Sequence, residues 1–167
     1  MSTYTAVEAA LLTLVRAYSS GTVYTATNSS VDNWRVLDGG AARAVVIEMA
    51  EATTESDTAN GRNAFGTYQE VHRLGVWVCV ARGSGDGGDV AAKVALKTAT
   101  EALKDYLRPY ERLNAAANVS RAQIARTTAP AYISPSSDAT RATHVAQQVI
   151  VQVQCRAVLS PLEVAGA

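Results

Sequence analysis

The sequence predicts an α+β fold: a mixed, mainly antiparallel β-sheet with two helices packed on one face and a long projecting β-hairpin. Two long strand patterns and two amphipathic helix patterns carry this prediction. The first strand pattern, YQEVHRLGVWVCVAR, runs from Tyr68 to Arg82. Successive side chains of a strand point to opposite faces, and this segment is apolar on both faces in its second half. It is therefore predicted to be a central strand. One face carries Leu74, Val76, Val78 and Val80, and the other carries Val71, Trp77 and Cys79.

The second strand pattern is THVAQQVIVQVQCRAV, Thr143 to Val158. Its alternation places apolar residues on one face and polar residues on the other, which predicts a half-buried strand beside the central one. The apolar face holds Val145, Val149, Val151, Val153 and Cys155, and the polar face holds Gln148, Gln152, Gln154 and Arg156.

Two segments have apolar residues at helical spacing. The first helix is predicted from Val7 to Tyr18 and ends near Gly21. The second runs from about Val90 to Leu107, is rich in alanine, and is ended by Pro109. The glycine-rich stretch before it, GSGDGGD, lacks the GK[ST] ending of a phosphate-binding loop. We interpret it as a flexible turn with Asp89 as the N-cap.

The connections complete a single α+β domain over residues 1–167. Apolar residues are few over residues 51–67, and this composition predicts a mobile loop that contacts a partner. Two strand patterns flank the Ser134 to Asp138 turn, which predicts a long hairpin with a polar tip at residues 126–143 that projects from the domain. A short hairpin between residues 34–37 and 44–49 and a loose tail at residues 159–167 are also expected.

The composition narrows the classes of function. Hydrophobic residues make up 48% and charged residues 18% of the chain, as in a folded globular protein. Lys+Arg and Asp+Glu number 15 each, so no global field attracts the chain to nucleic acid or to a membrane, although local basic patches stay possible. The N-terminal segment has neither the basic region of a signal peptide nor the continuous apolar run of a spanning helix.

No constellation of residues indicates catalysis or metal binding. The ligand types that zinc prefers occur only at separations that match no compact zinc motif, and His72 and Cys79 fall on opposite faces of their strand. No two carboxylates are brought together for acid–base work. The sequence therefore predicts no enzyme and no cofactor, with both cysteines buried in strands.

Arginine and aromatic residues in the exposed segments indicate a protein interface, which we favour over nucleic-acid binding because the net charge is zero and aromatics are few. The predicted partner-interface residues are Arg62 and Phe65 in the loop and Arg126, Tyr132 and Arg141 in the hairpin.

The order of the segments resembles the tail terminator family of long-tailed bacteriophages. The resemblance extends from Tyr4 to Val158 and comprises a first helix, short strands, AVVIEMAE, a polar loop, the YQEVHRLGVWVCVAR strand, an alanine-rich helix ending LKDYL and the THVAQQVIVQVQCR strand. It implies a homohexameric ring that caps the tail tube, stops its polymerisation and offers a surface to the head connector, without a cofactor. It also implies a place at the head-proximal end of the virion tail, after assembly in the host cytoplasm.

A ring around the tail channel also implies a role for the polar face of the Thr143 to Val158 strand. Gln148, Gln152 and Gln154 would form a neutral row facing the lumen, past which genomic DNA moves without specific binding. Two other classes stay open: another head–tail connector, neck or tube protein of a virion, and a small host enzyme or binding domain.

Overall fold

A computed structural model describes residues 3–20, 25–28, 43–56, 67–83, 85–114, 116, 118–133 and 143–158. Its elements follow one another as α1 (Thr3–Ser20), β1 (Thr25–Asn28), β2 (Arg43–Ser56), β3 (Thr67–Ala81), α2 (Gly85–Leu107), β4 (Val119–Thr127), β5 (Ala131–Ile133) and β6 (His144–Val158). The predicted α+β class with a mainly antiparallel sheet is confirmed. No helix within these residues is long and apolar enough to cross a membrane.

The sheet has the strand order β1-β2-β3-β6-β4, with β5 also paired to β6. β3 and β6 pair antiparallel over their whole length, from Thr67 opposite Val158 to Ala81 opposite His144. The two predicted long strands are thus central neighbours. β1 is the exception to the antiparallel pattern, because it runs parallel to β2 along residues 44–47.

Both helices cover the same face of the sheet, which we call the covered face. One apolar cluster joins Val7 and Leu11 of α1, Leu96 and Leu103 of α2 and the apolar sides of β2, β3, β4 and β6. The predicted faces of β3 and β6 are confirmed, since Leu74, Val76, Val151 and Val153 all belong to this cluster. Burial of this apolar surface is the main stabilising contribution, because a fully buried aliphatic side chain contributes about 1.5–3 kcal/mol.

The connection from β3 to α2 depends on two glycines. A Cβ on Gly88 would lie 2.5 Å from the carbonyl carbon of Gly83, which is too close for any side chain. The missing side chains let the end of β3 pass directly against the first turns of the helix. The helix begins at Gly85, before the predicted start, so Asp89 lies inside it and is not the N-cap.

The loop predicted at residues 51–67 is wrong at both ends. β2 continues through Ser56, with Glu55 opposite Glu70 and Ser56 opposite Gln69, and β3 already begins at Thr67. Two register shifts in β2, between Met49 and Thr54, accommodate its polar stretch. Backbone pairing with the long β3 strand therefore holds a segment whose side chains give no hydrophobic signal. Residues 57–66, with Arg62 and Phe65, lie outside the described part.

The projecting tip predicted at residues 126–143 is wrong for residues 126–133. β4 and β5 lie one after the other along β6, with Arg126 opposite Ile150 and Tyr132 opposite Val145. The break between them contains Pro130, which has no N–H for the ladder. The tip residues 134–142, which include Arg141, and the predicted tail at residues 159–167 lie outside the described part, so the projection there stays a prediction.

The short hairpin predicted between residues 34–37 and 44–49 is not compatible with the sheet. Residues 44–47 of β2 pair with β1 on one edge and with β3 on the other. No edge of this segment is left for a third strand. Residues 34–37 themselves lie outside the described part.

Candidate interaction surface

The sheet face opposite the helices, which we call the open face, carries the predicted glutamine row. Gln148, Gln152 and Gln154 lie on it opposite Trp77, Arg73 and Val71 of β3. A small apolar cluster of Val46, Cys79 and Ala146, with Trp77 and Ile133 packed against it, lies at one end of this face. The predicted placement of Trp77 and Cys79 on the face opposite Leu74 and Val76 is confirmed.

The three glutamines are not equivalent. Gln152 and Gln154 are half-buried, whereas Gln148 is only 8% exposed. The backbone of Gln148 is held by Thr128, whose N–H donates to the Gln148 carbonyl at 2.8 Å and whose Oγ1 accepts from the Gln148 N–H at 3.0 Å. Gln148 therefore offers little surface to a partner, while Gln152 and Gln154 stay candidates for a lumen-facing row.

Gly75 provides the space in which the Gln148 side chain lies. A Cβ on Gly75 would be 1.9 Å from Nε2 and 2.7 Å from Cδ of Gln148. We expect Gly75→Ala to destabilise the protein by about 1–2 kcal/mol, because the amide must leave its place. In a Gln148→Ala background the same change should instead stabilise by up to about 1 kcal/mol, since alanine replaces glycine in a strand without a clash.

Urea unfolding of the four variants in this double-mutant cycle tests the expectation. A reversal of sign between the two backgrounds is the expected result. Equal effects of Gly75→Ala in both backgrounds would show that Gln148 does not occupy this space.

Arginines flank the glutamine row on the open face. Arg73 Nε donates to Gln152 Oε1 at 3.2 Å, and a shallow depression between Arg73 and Arg126 has Ile150 at its floor. Arg126, predicted as an interface residue, is exposed on the edge strand β4. The row and Arg126 thus belong to one surface.

Tyr132, the other interface prediction within the described residues, lies away from this row. Its hydroxyl donates to Asp89 Oδ2 at 2.9 Å, and its ring is 4.7 Å from the Arg82 guanidinium and 5.2 Å from the Lys93 ammonium. Asp89 also accepts from Arg82 at 3.0 Å and from Lys93 at 3.1 Å. This group attaches β5 to α2. Tyr132 therefore makes contacts within its own chain, although 48% of the residue is exposed.

The group around Asp89 should make stability depend on pH. The hydrogen bond from Lys93, followed by that from Tyr132, lowers the pKa of Asp89 below its ordinary value. A lowered carboxyl pKa stabilises the fold above the pKa of the unfolded state, and this contribution is lost as pH falls through the folded pKa. We expect wild type to exceed Asp89→Asn in stability at neutral pH and to match it in strong acid.

Urea unfolding midpoints measured across that pH range check this expectation. Asp105→Asn is the matched control, because Asp105 is exposed on the same helix and contacts Arg108 one turn away. Such a surface pair contributes little. A stability difference between wild type and Asp89→Asn that is constant with pH would contradict the expectation.

A buried polar group lies on the covered face near the start of α1. Nε2 of His72 is 3.0 Å from Oε2 of Glu70, at ion-pair distance without hydrogen-bond alignment, and the Tyr4 ring meets the His72 ring edge-on at 5.7 Å. Cys155 lies opposite Glu70, and burial, then the Glu70 charge, raises the pKa of its thiol to about 11. A thiol with this pKa is protonated at neutral pH and is a poor nucleophile.

These positions also bear on disulfide formation and metal binding. Cys79 and Cys155 form no disulfide and are buried on opposite faces of the sheet. Among the described residues, no group of three or more His, Cys, Asp or Glu side chains could hold a metal ion.

Two features of this surface were missed from the sequence. The group around Asp89 joins residues that are distant along the chain, and no sequence signal identifies it. Arg126 was predicted as an interface residue, but the position of the β4 arginines beside the glutamine row follows only from the β4–β6 register. In that register Arg121 lies opposite Gln154 and Gln123 opposite Gln152. The sequence matches no known protein-family model and no curated protein.

Proposed function

We propose that the chain is a structural subunit of a homo-oligomeric ring, of the tail terminator kind, that caps a bacteriophage tail tube and joins it to the head. The ring would have six copies and act through shape complementarity, without covalent chemistry or a cofactor. Its partners would be the tube protein, a head connector or neck protein, and the genomic DNA in its lumen. Its place would be the head-proximal end of the virion tail.

The observation that carries the proposal is the two-layer build with one open polar face. α1 and α2 cover one side of the sheet, while β4 and β6 display arginine and glutamine on the other. A two-layer subunit of this kind suits a channel wall, because one layer packs outward and the polar sheet faces water. The order of its elements is also the order on which the resemblance to tail terminators rests.

The proposed mechanism is termination by mismatch. One side of the ring would imitate a tube subunit and the other side would not, so a further layer of tube protein would find no repeating interface. The interface predictions Arg126 and Tyr132 are both exposed. Arg62, Phe65 and Arg141 keep their predicted interface role.

Light scattering and negative-stain imaging of the purified protein, alone and with tail tubes, test the proposal. We expect rings in solution or at tube ends, and tubes that stop growing once the protein is added. A protein that stays monomeric at high concentration and does not bind tube ends would contradict it. Bridging of portals would indicate a connector, and unaided polymerisation would indicate a tube subunit.

The lumen assignment has its own test in virions that carry Gln152→Lys and Gln154→Lys. Added positive charge in the channel wall should slow DNA ejection. The matched control places lysines at Thr98 and Ala102, which are exposed on α2 on the opposite side of the subunit. Equal ejection rates for wild type and the glutamine variant would place the row outside the channel.

A further inference from the structure

The net charge of the chain is zero, but its charged residues are unevenly distributed. From Val119 to Val158 the sequence contains four arginines and one acidic residue, Asp138, and neither β4 nor β6 contains Asp or Glu. The acidic residues of β2 lie two strands from β6 and three strands from β4, at distances of about 10 Å and about 14 Å. The β4–β6 half of the open face therefore has a local positive charge that the whole-chain value does not reveal.

The register arranges these charges in one band, which we call the basic strip. It consists of Arg121, Gln123, Arg126, Gln152, Gln154 and Arg156. Arg121 lies opposite Gln154, Gln123 lies opposite Gln152, and Arg156 lies two residues beyond Gln154 on β6. All three arginines are exposed, and Gln152 and Gln154 are half-buried between them.

We propose that the basic strip binds the phosphate backbone of double-stranded DNA without reading its sequence. Guanidinium and amide N–H groups are the side-chain donors that proteins direct at phosphate oxygens. This inference extends the proposed function. It rests on that function only for the identification of the polymer as DNA. The charge argument by itself requires only a polyanion.

The composition of the strip favours duplex DNA over two other polyanions. A single strand is normally held by aromatic side chains that stack on its bases, and the strip has none. A protein interface is normally centred on apolar or aromatic anchors. The exposed large hydrophobic residues of the described part are Val90, Val94 and Tyr132, and none of them lies on the strip.

The experiment measures binding of the full chain to a fluorescent duplex of random sequence over a range of salt concentrations. For wild type we expect affinity that falls steeply with salt. For the Arg121→Gln, Arg156→Gln double variant we expect binding at least about tenfold weaker at low salt. The slope of log K against log salt should become less negative by about 1.8, because two phosphate contacts are lost.

A double variant with Lys97→Gln and Arg112→Gln is the matched control. It removes the same charge from exposed positions on α2 and in the turn after it. We expect the control to bind like wild type. If both double variants bound equally weakly, the loss of affinity would come from net charge alone and the proposal would be overturned. Absence of binding by wild type at low salt would also overturn it.

Two competitors separate the alternative polyanions. Tighter binding of a single-stranded oligonucleotide than of the duplex would overturn the proposal in favour of a single-strand site. If polyglutamate displaced the duplex as well as unlabelled duplex does at equal charge concentration, the proposal would be overturned. The strip would then be a site for an acidic protein surface. Rings that cap tubes but do not bind DNA would refute this inference alone, whereas DNA binding by a protein that forms no ring would refute only the proposed function.

Discussion

Replacing Leu103 by alanine is expected to lower the free energy of unfolding by about 3 kcal/mol, within the usual range for a buried leucine. Leu103 is 0% exposed, in the part of α2 that joins the helix to α1 and the sheet in one cluster. The change removes apolar area from the core and leaves a cavity that the strands on one side and the helix on the other cannot close. Urea or thermal unfolding followed by circular dichroism measures the loss.

Val94→Ala on the same helix is the matched control. Val94 is 61% exposed, so its truncation removes little buried area, and alanine has the higher helix propensity. We expect a change within about 0.5 kcal/mol for this variant. Similar losses for Leu103→Ala and Val94→Ala would mean that α2 does not pack on the sheet through the face described above.

Replacing His72 by leucine is expected to destabilise the protein by about 2 kcal/mol. The imidazole is buried, with 1% of its side chain exposed, and it lies at ion-pair distance from Glu70, whose side chain is 11% exposed. Leucine would leave the Glu70 carboxylate in an apolar environment without this neighbour. The change itself fills the space, so the loss comes from the carboxylate and not from a cavity.

The double variant Glu70→Leu, His72→Leu separates these two causes. Replacing both members of a buried polar pair by apolar groups is often close to neutral, so we expect the double variant to recover most of the stability that His72→Leu loses. Chemical unfolding of the three variants and wild type gives the coupling energy. A double variant less stable than His72→Leu would show that the carboxylate has other buried partners that matter more than the imidazole.

The parts of the fold that burial determines were predictable. The alternation in β3 and β6 identified both faces of each strand, because a shift by one residue would move every apolar side chain out of the core. Both helices were found for the same reason. The extension of β2 to Ser56 was not found, since it depends on backbone pairing with β3 and leaves no hydrophobic pattern.

The candidate surface was predictable to a smaller extent. The polar face of β6 follows from its alternation, but the burial of Gln148 depends on Gly75 of the neighbouring strand. The row of arginines beside these glutamines likewise depends on which strand lies next to β6. Asp89 was predicted at a helix start because its glycine neighbours indicated a turn, whereas those glycines form the first turn of the helix, which begins at Gly85.

The position of β6 in the sheet has a consequence for synthesis of the chain on the ribosome. Among the described strands β6 comes last in the chain, yet it lies between β3 and β4. A nascent chain that ends before His144 has no strand to join these two, so the inner edges of both are exposed at that stage of translation. Closure of the sheet therefore waits for β6, and a chain that is cut short before β6 is a natural target for chaperones and proteases.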